Sequence, residues 1–293
     1  MLFSLNMPKL TLLFLLLFCS QTWAHCTLNM VFKLGGKFPL MRSAPDNSGI
    51  FQDLYSQAAQ RIGCDLIITR LPKARLHEAL RKGTHDFYPG ASFSQERAQY
   101  LSYIENGIET KELGVSSLGI KKITNLSQLK VYSNLIWLME SNSSKITLSN
   151  SLGIYPQEIQ YMNIDILVNF IEKRPQFNYF YVADKEVIDN FLSNKSTSRV
   201  SDYGLRLHEE CCGKSQPMYL GFSRLSIHME ETDNPQYQKD EEISAKNQTS
   251  IPAKGSIAQR FASTLQTLQK EGITQSIYQH WYPVTQQPFL NVE

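Results

Sequence analysis

The chain has 293 residues, room for one large domain or two of moderate size and far more than a miniprotein held only by disulfides needs. Apolar residues make up 42% and charged residues 19%, a globular composition that excludes wholesale disorder, a collagen-like chain or a coiled-coil rod. Lys and Arg number 29 against 27 Asp and Glu, a formal charge of +2, too balanced for the broad basic field of a nucleic-acid-binding protein.

Lys9 precedes the run Leu10 to Phe18, apolar except for Thr11, and a polar stretch then ends in Thr22-Trp23-Ala24. A basic start, a short apolar core and a small residue before the cut predict a secretory signal over 1–24, removed after Ala24. The run is too short to cross a bilayer, which takes about 20 apolar residues. The expected mature protein is exported and soluble. Export leaves Cys26, Cys64, Cys211 and Cys212 in an oxidising compartment, where structural disulfides are expected over a metal site. Cys26 precedes the apolar run Leu28 to Phe32, and Cys64 precedes Leu66 to Ile68. If those strands are parallel neighbours, a Cys26–Cys64 bridge is geometrically reasonable, and Cys211-Cys212 remain as a vicinal pair or as free thiols. No CxxC or His-x-x-His spacing supports a metal.

Phe51, Leu54, Tyr55, Ala58, Ala59 and Ile62 form the stripe of a core-facing helix, with Ser48 a possible cap at its start and Gly63 at its end. Leu66 to Thr69 reads as a strand, and Pro72 opens a second helix that stops at Gly83. Asp86 to Tyr88 reads as a strand cut short by Pro89 and Gly90, followed by a helix capped by Ser94. This β-α-β-α rhythm predicts a parallel sheet and delivers Ser92, Ser94 and Arg97 to the carboxyl end of a strand, where ligands bind in open α/β sheets. The alternation continues with a helix over Ile164 to Ile171, a strand over Phe177 to Val182 and a helix over Val187 to Leu192. The last third has a strand over Met218 to Phe222 and a helix from Ile257 to Leu268, ended by Gly272. Between these, residues 229–250 hold six acidic and two basic residues without apolar periodicity, which predicts a mobile surface insertion. GxSxG, GxGxxG, HExxH and the phosphate-binding loop are all absent, and no cofactor is expected.

The ordered series Gly49-Ile50-Phe51-Gln52-Asp53-Leu54, Arg61-Ile62-Gly63, Ala79 to Asp86 and Gly90-Ala91-Ser92-Phe93-Ser94-Gln95-Glu96-Arg97 resembles the N-terminal lobe of the family-three solute-binding proteins for polar amino acids. Tyr219 to Arg224, Gly272 and Trp281 extend the resemblance to the C-terminal third. It implies the α/β type II periplasmic binding fold, two lobes joined by a hinge the chain crosses twice. Lobe one would span 25–115 and 215–293, and lobe two 116–214, with the ligand in the cleft and closure as a hinge motion.

Arg97 matches the family's position for the ligand's α-carboxylate, a role that suits a guanidinium fork near a helix's positive end. The alternative is a surface pair with Glu96. Ser92 and Ser94 would add hydroxyls, and Gly90 lies on the same loop. Asp184 matches the acidic residue that receives the ligand's amino group, although a strand-to-helix junction is also an ordinary place for an N-cap. Phe38 could be an aromatic wall, with core packing the alternative. The second-lobe loop that donates to the carboxylate corresponds to Ser141 to Ser144, and Tyr179 stands where the family usually has Asp. The resemblance implies a monomer that captures an amino acid or similar small zwitterion and passes it to an ABC permease. A membrane sensor and a dehydratase-like enzyme on the same scaffold are the alternatives, with no enzyme expected.

Overall fold

A computed structural model describes residues 26–195 and 199–282, so the expected signal over 1–24 and the last eleven residues of the expected lobe one lie outside the described residues. Strand β1 (Cys26–Lys33), helix α1 (Ile50–Arg61), β2 (Cys64–Leu71), α2 (Lys73–Arg81), β3 (Phe87–Tyr88) and α3 (Gln95–Ala98) follow one another as the apolar pattern predicts. A long strand, β4 (Leu101–Thr110), then runs through Lys111 into β5 (Glu112–Ser117). β6 (Leu135–Glu140), α4 (Lys145–Ser151), β7 (Pro156–Ile159), α5 (Ile164–Lys173), β8 (Asn178–Asp184), α6 (Lys185–Ser193) and β9 (Leu205–His208) complete the middle of the chain. The C-terminal third supplies β10 (Gln216–Ser223), β11 (Glu231–Asp233), β12 (Ser250–Pro252), α7 (Ile257–Lys270) and α8 (Ile273–Trp281).

Two five-stranded sheets result, with orders β2-β1-β3-β10-β4 and β7-β6-β8-β5-β9. Each has three parallel strands continued by an antiparallel pair. We call each sheet with its helices a lobe. The chain passes from lobe one to lobe two between β4 and β5, and returns between β9 and β10. In-register pairing sets Cys26 opposite Cys64 on parallel β1 and β2, and the two form a disulfide with a Cα–Cα distance of 4.4 Å. Cys211 and Cys212 are bonded as a vicinal pair.

The core of lobe one is a single aromatic-rich cluster. Phe87 stacks on Phe222 and meets Tyr55 and Phe261 with centroids 5.2 to 6.0 Å apart, each fully buried ring contributing about 2–3 kcal/mol. In lobe two, strand alternation sends Leu138 and Tyr179 to one face and Trp137, Met139 and Phe180 to the other. Both faces are buried, giving two smaller clusters.

Three local details differ from the sequence expectation. Gly49, with φ of 145°, occupies the start of α1, and no side chain caps it, so Ser48 does not serve there. Helix α3 is a single turn, too short to aim a helix dipole at a ligand. Residues 229–250 are tied down by side-chain amides as well as by Met229 and Ala245, which pack on the lobe-one core. Asn247 Nδ2 donates to the carbonyls of Gln238, Glu241 and Glu242 at 2.9 to 3.2 Å. Gln248 accepts from the Tyr103 amide at 2.7 Å and donates to the Tyr103 carbonyl at 2.8 Å, covering β4 where it forms the sheet's edge.

Candidate functional site

The carboxyl ends of β1, β3, β6 and β8 converge from the two lobes on a cavity of about 100 Å³. Lobe one contributes Lys33, Lys37, Lys73, Tyr88, Gly90, Ser92 and Arg97, and lobe two contributes Glu140, Ser143, Ser144, Lys145, Tyr181 and Asp184. A larger groove of about 590 Å³ shares Lys37, Gly90, Ser92 and Asp184 and opens past Tyr219 and residues 244–246.

Arg97 is buried, at 7% exposure. Its Nη1 donates to the Ser92 carbonyl at 3.0 Å and its Nη2 crosses the cleft to the Asn142 carbonyl at 2.6 Å. Glu96 pairs with Arg81 instead, which removes the surface-pair reading of Arg97. Asp184 is 5% exposed. Its backbone starts α6, but its side chain makes no cap bond; the carboxylate pairs across the cleft with the Lys37 ammonium. Gly90 has φ of +66°, and a Cβ there would stand 3.3 Å from the Phe51 ring, so a tight turn carries the loop from β3 into the cleft.

Two expected residues lie elsewhere. Ser94 accepts the Arg97 amide as the cap of α3 and faces an outer groove with His77 and Tyr100. Phe38 packs edge-on against Trp281 at 6.1 Å, under the Arg42 guanidinium at 4.4 Å, and lines a separate groove beside Tyr161. The aromatic walls of the cleft are Phe32, Phe51, Tyr88, Trp137 and Tyr181, and burial pushes the Tyr88 hydroxyl up to about 12.

The charged groups that sequence reasoning missed are Lys33, Lys37, Lys73, Glu112, Glu140 and Lys145. Lys33 Nζ donates to both Glu140 oxygens at 3.0 and 2.8 Å, and Lys73 reaches the same carboxylate at 3.3 Å. Lys145 pairs with Glu112 at 2.6 Å. Burial pulls the Lys73 ammonium down to about 8 against the attraction of Glu140, and lowers Lys33 in the same way. Burial pushes the Glu140 carboxyl up, but the two ammonium groups outweigh it and hold it below its ordinary value. For Lys37, Asp184 outweighs burial and raises the ammonium.

A second contact between the lobes lies away from the cleft. The Tyr278 hydroxyl on α8 donates to Glu186 at 2.7 Å, and Thr110 donates to the same carboxylate at 2.8 Å. Tyr282 reaches Asp189, which also accepts from Lys185 at 2.7 Å. The C-terminal helix, packed on the lobe-one core, is thereby tied to α6 of lobe two.

Among the described residues no group of three His, Cys, Asp or Glu side chains could hold a metal, and no helix is long and apolar enough to cross a membrane. No family model and no curated protein matches the sequence. Solved structures do. A substrate-binding protein of an ABC uptake transporter from Streptococcus pneumoniae, with bound histidine, superposes with a TM-score of 0.61 at 14% identity, covering 87% of this chain and 92% of that one. The fold is the type II periplasmic binding fold. The GluR0 ligand-binding core from Nostoc punctiforme, in complex with L-glutamate, shares this fold with a TM-score of 0.59 at 14% identity, over 88% and 99% of the two chains. So does the ancestral amino acid-binding protein AncCDT-1, a precursor of cyclohexadienyl dehydratase, with a TM-score of 0.58 at 11% identity over 87% and 95%.

Proposed function

We propose that this chain is an exported, monomeric periplasmic solute-binding protein that captures a small amino-acid-like ligand between its lobes and presents it to an ABC-type permease. The observation that carries this reading is Arg97: a buried guanidinium at the cleft whose described partners are two uncharged main-chain carbonyls. A carboxylate arriving there gains charge-assisted bonds that the carbonyls do not provide. Ser92 and Gly90 form the loop beside it, and Ser143 and Ser144 meet the ligand from lobe two. Solved neighbours described as amino-acid-binding support the ligand class.

The reading is of a binder rather than an enzyme. A dehydratase needs a group able to take or give a proton, and each cleft carboxylate is already paired with lysine. Signalling to a membrane sensor would use the same cleft and the same lobe closure.

Isothermal titration of the purified protein with amino acids and their desamino analogues tests the proposal. Saturable one-to-one heat is expected from at least one compound, with Arg97→Ala weakening it about a hundredfold or more and leaving the melting temperature of the unliganded protein nearly unchanged. No heat from any compound at about millimolar concentration, or a large loss of stability in Arg97→Ala, overturns it.

A further inference from the structure

The cleft carries more positive charge than its own carboxylates neutralise. Five cationic side chains, Lys33, Lys37, Lys73, Arg97 and Lys145, line it against the three carboxylates Glu112, Glu140 and Asp184. Lys37 takes Asp184 and Lys145 takes Glu112. Lys33 and Lys73 share Glu140, so one ammonium charge there is left over. Arg97, held by carbonyls alone, is the second uncompensated cation. These two surplus charges stand in a pocket screened from water, where like charges repel strongly and an added anion is favoured.

The second observation concerns Asp184. In the arrangement the resemblance implies, this carboxylate receives the ligand's ammonium. Here it is buried and holds the ammonium of Lys37, which comes from the opposite lobe. The pair joins one lobe to the other, so the protein supplies internally the cation that an amino acid would bring. A ligand ammonium could reach Asp184 only by displacing Lys37, whose side chain is about one-third exposed, from its ion pair, leaving one more unpaired cation beside a pocket already rich in them.

Building on the solute-capture reading above, we propose that the ligand is a small dicarboxylate whose recognition needs no ammonium group. One carboxylate lies on Arg97 and the other on the Lys33–Lys73 pair, while Lys37 stays on Asp184. An α-amino group on such a ligand contributes no affinity and, among these cations, weakens binding.

Titration of the wild-type protein with glutarate, L-glutamate, L-glutamine and L-lysine tests the proposal. Glutarate is expected to bind about tenfold or more tighter than L-glutamate, with no heat from L-lysine. In Lys37→Met, Asp184 is released and the preference moves toward L-glutamate by about tenfold. The double variant Lys37→Met/Asp184→Asn removes the pair without leaving a buried charge, and is expected to bind glutarate within about fivefold of wild type. If L-glutamine or L-lysine binds and glutarate does not, solute capture stands and the dicarboxylate assignment falls. Tighter binding of L-glutamate than of glutarate to the wild type, or loss of glutarate binding in the double variant with its melting temperature retained, also overturns the assignment. Silence from all four compounds overturns the dicarboxylate assignment, and solute capture falls with it only if the wider panel of amino acids and desamino analogues is silent too.

Discussion

The two lobes share one strand plan, three parallel strands continued by an antiparallel pair, yet they bring opposite chemistry to the cleft. Lobe one presents four cations, Lys33, Lys37, Lys73 and Arg97, while lobe two presents Glu140 and Asp184 at the carboxyl ends of β6 and β8. The interiors differ as well. Lobe one has one continuous aromatic cluster and a disulfide joining adjacent strands, whereas lobe two divides its apolar residues between the two faces of its sheet. The same backbone plan therefore sets where the site lies, and the side chains at the strand ends set which lobe attracts and which lobe answers. An interface between opposite charges closes on itself, and a surplus of two cations leaves a place for an anion.

The largest expected difference between the lobes is in their stability. The Cys26–Cys64 bridge closes a sequence separation of 38 residues, worth about 4 kcal/mol in the chain-entropy account. The double variant Cys26→Ser/Cys64→Ser should therefore lower the denaturation midpoint of lobe one, with the lobe-two transition unmoved, as fluorescence of Trp281 in lobe one and Trp137 in lobe two would show. A single transition shifted as a whole would mean that the lobes unfold together.

Removing the central acceptor is expected to cost about 3 kcal/mol or more, because it strands two buried ammonium groups. Glu140→Gln leaves Lys33 and Lys73 facing one another, and small-angle scattering should show the lobes farther apart than in the wild type. An unchanged scattering curve would show that the ion pairs do not hold the lobes together.

Each lobe also buries one neutral histidine, and these titrate alike at first. Burial pulls His77 in lobe one down to about 2 and His208 in lobe two down to about 4. His208 accepts from the Ile123 amide at 3.1 Å on Nδ1 and lies 2.8 Å from the Ser116 hydroxyl on Nε2, an arrangement that uses the neutral ring. The unfolded chain takes up these protons as pH falls below about 6.5 and the folded protein does not, so stability is lost on acidification. By pH 5 each histidine should account for about 2 kcal/mol of that loss. Below about pH 4 only the His77 contribution keeps growing, because His208 then protonates in the folded protein too. Denaturant melts of His77→Gln and His208→Gln across pH 4–7 should each have a flatter pH dependence than the wild type, and an unchanged slope would contradict the buried neutral ring.

The smallest effect concerns the contact between α8 and α6. Tyr278→Phe removes one donor from the buried Glu186 carboxylate and should lower stability by about 1–2 kcal/mol. Burial already pushes Glu186 up, with Asp184 adding to it, so losing a donor should push it further. A variant as stable as the wild type would show that Thr110 alone satisfies this group.

Much of the fold was legible because strands with buried periodicity alternate with amphipathic helices from β1 to α6. The first lobe boundary, expected between 115 and 116, falls inside β5 rather than between β4 and β5, because a strand passing straight from one sheet to another changes neither its period nor its composition. The bonding within 229–250 was not legible for a related reason. Asn247 and Gln248 bond there to main-chain groups, a signal that hydropathy does not carry. At the site, Arg97 and Asp184 stood out through resemblance and through their places beside strand ends. Lys33 and Glu140 also close strands, β1 and β6, and the strand-end rule that marked Asp184 applies to them equally. Their pairing spans 107 residues and depends on the two lobes meeting, which no local pattern records. For Phe38 the sequence left an aromatic wall and core packing both open, and its contact with the Trp281 ring on α8 puts it on the packing side.

A crystal structure of the protein soaked with glutarate would test the central claim most directly. The account predicts one ligand carboxylate on the Arg97 guanidinium, the other between Lys33 and Lys73, and Lys37 still paired with Asp184. A ligand outside the cleft, or Lys37 displaced from Asp184 by an amino group in a matching L-glutamate complex, would contradict it.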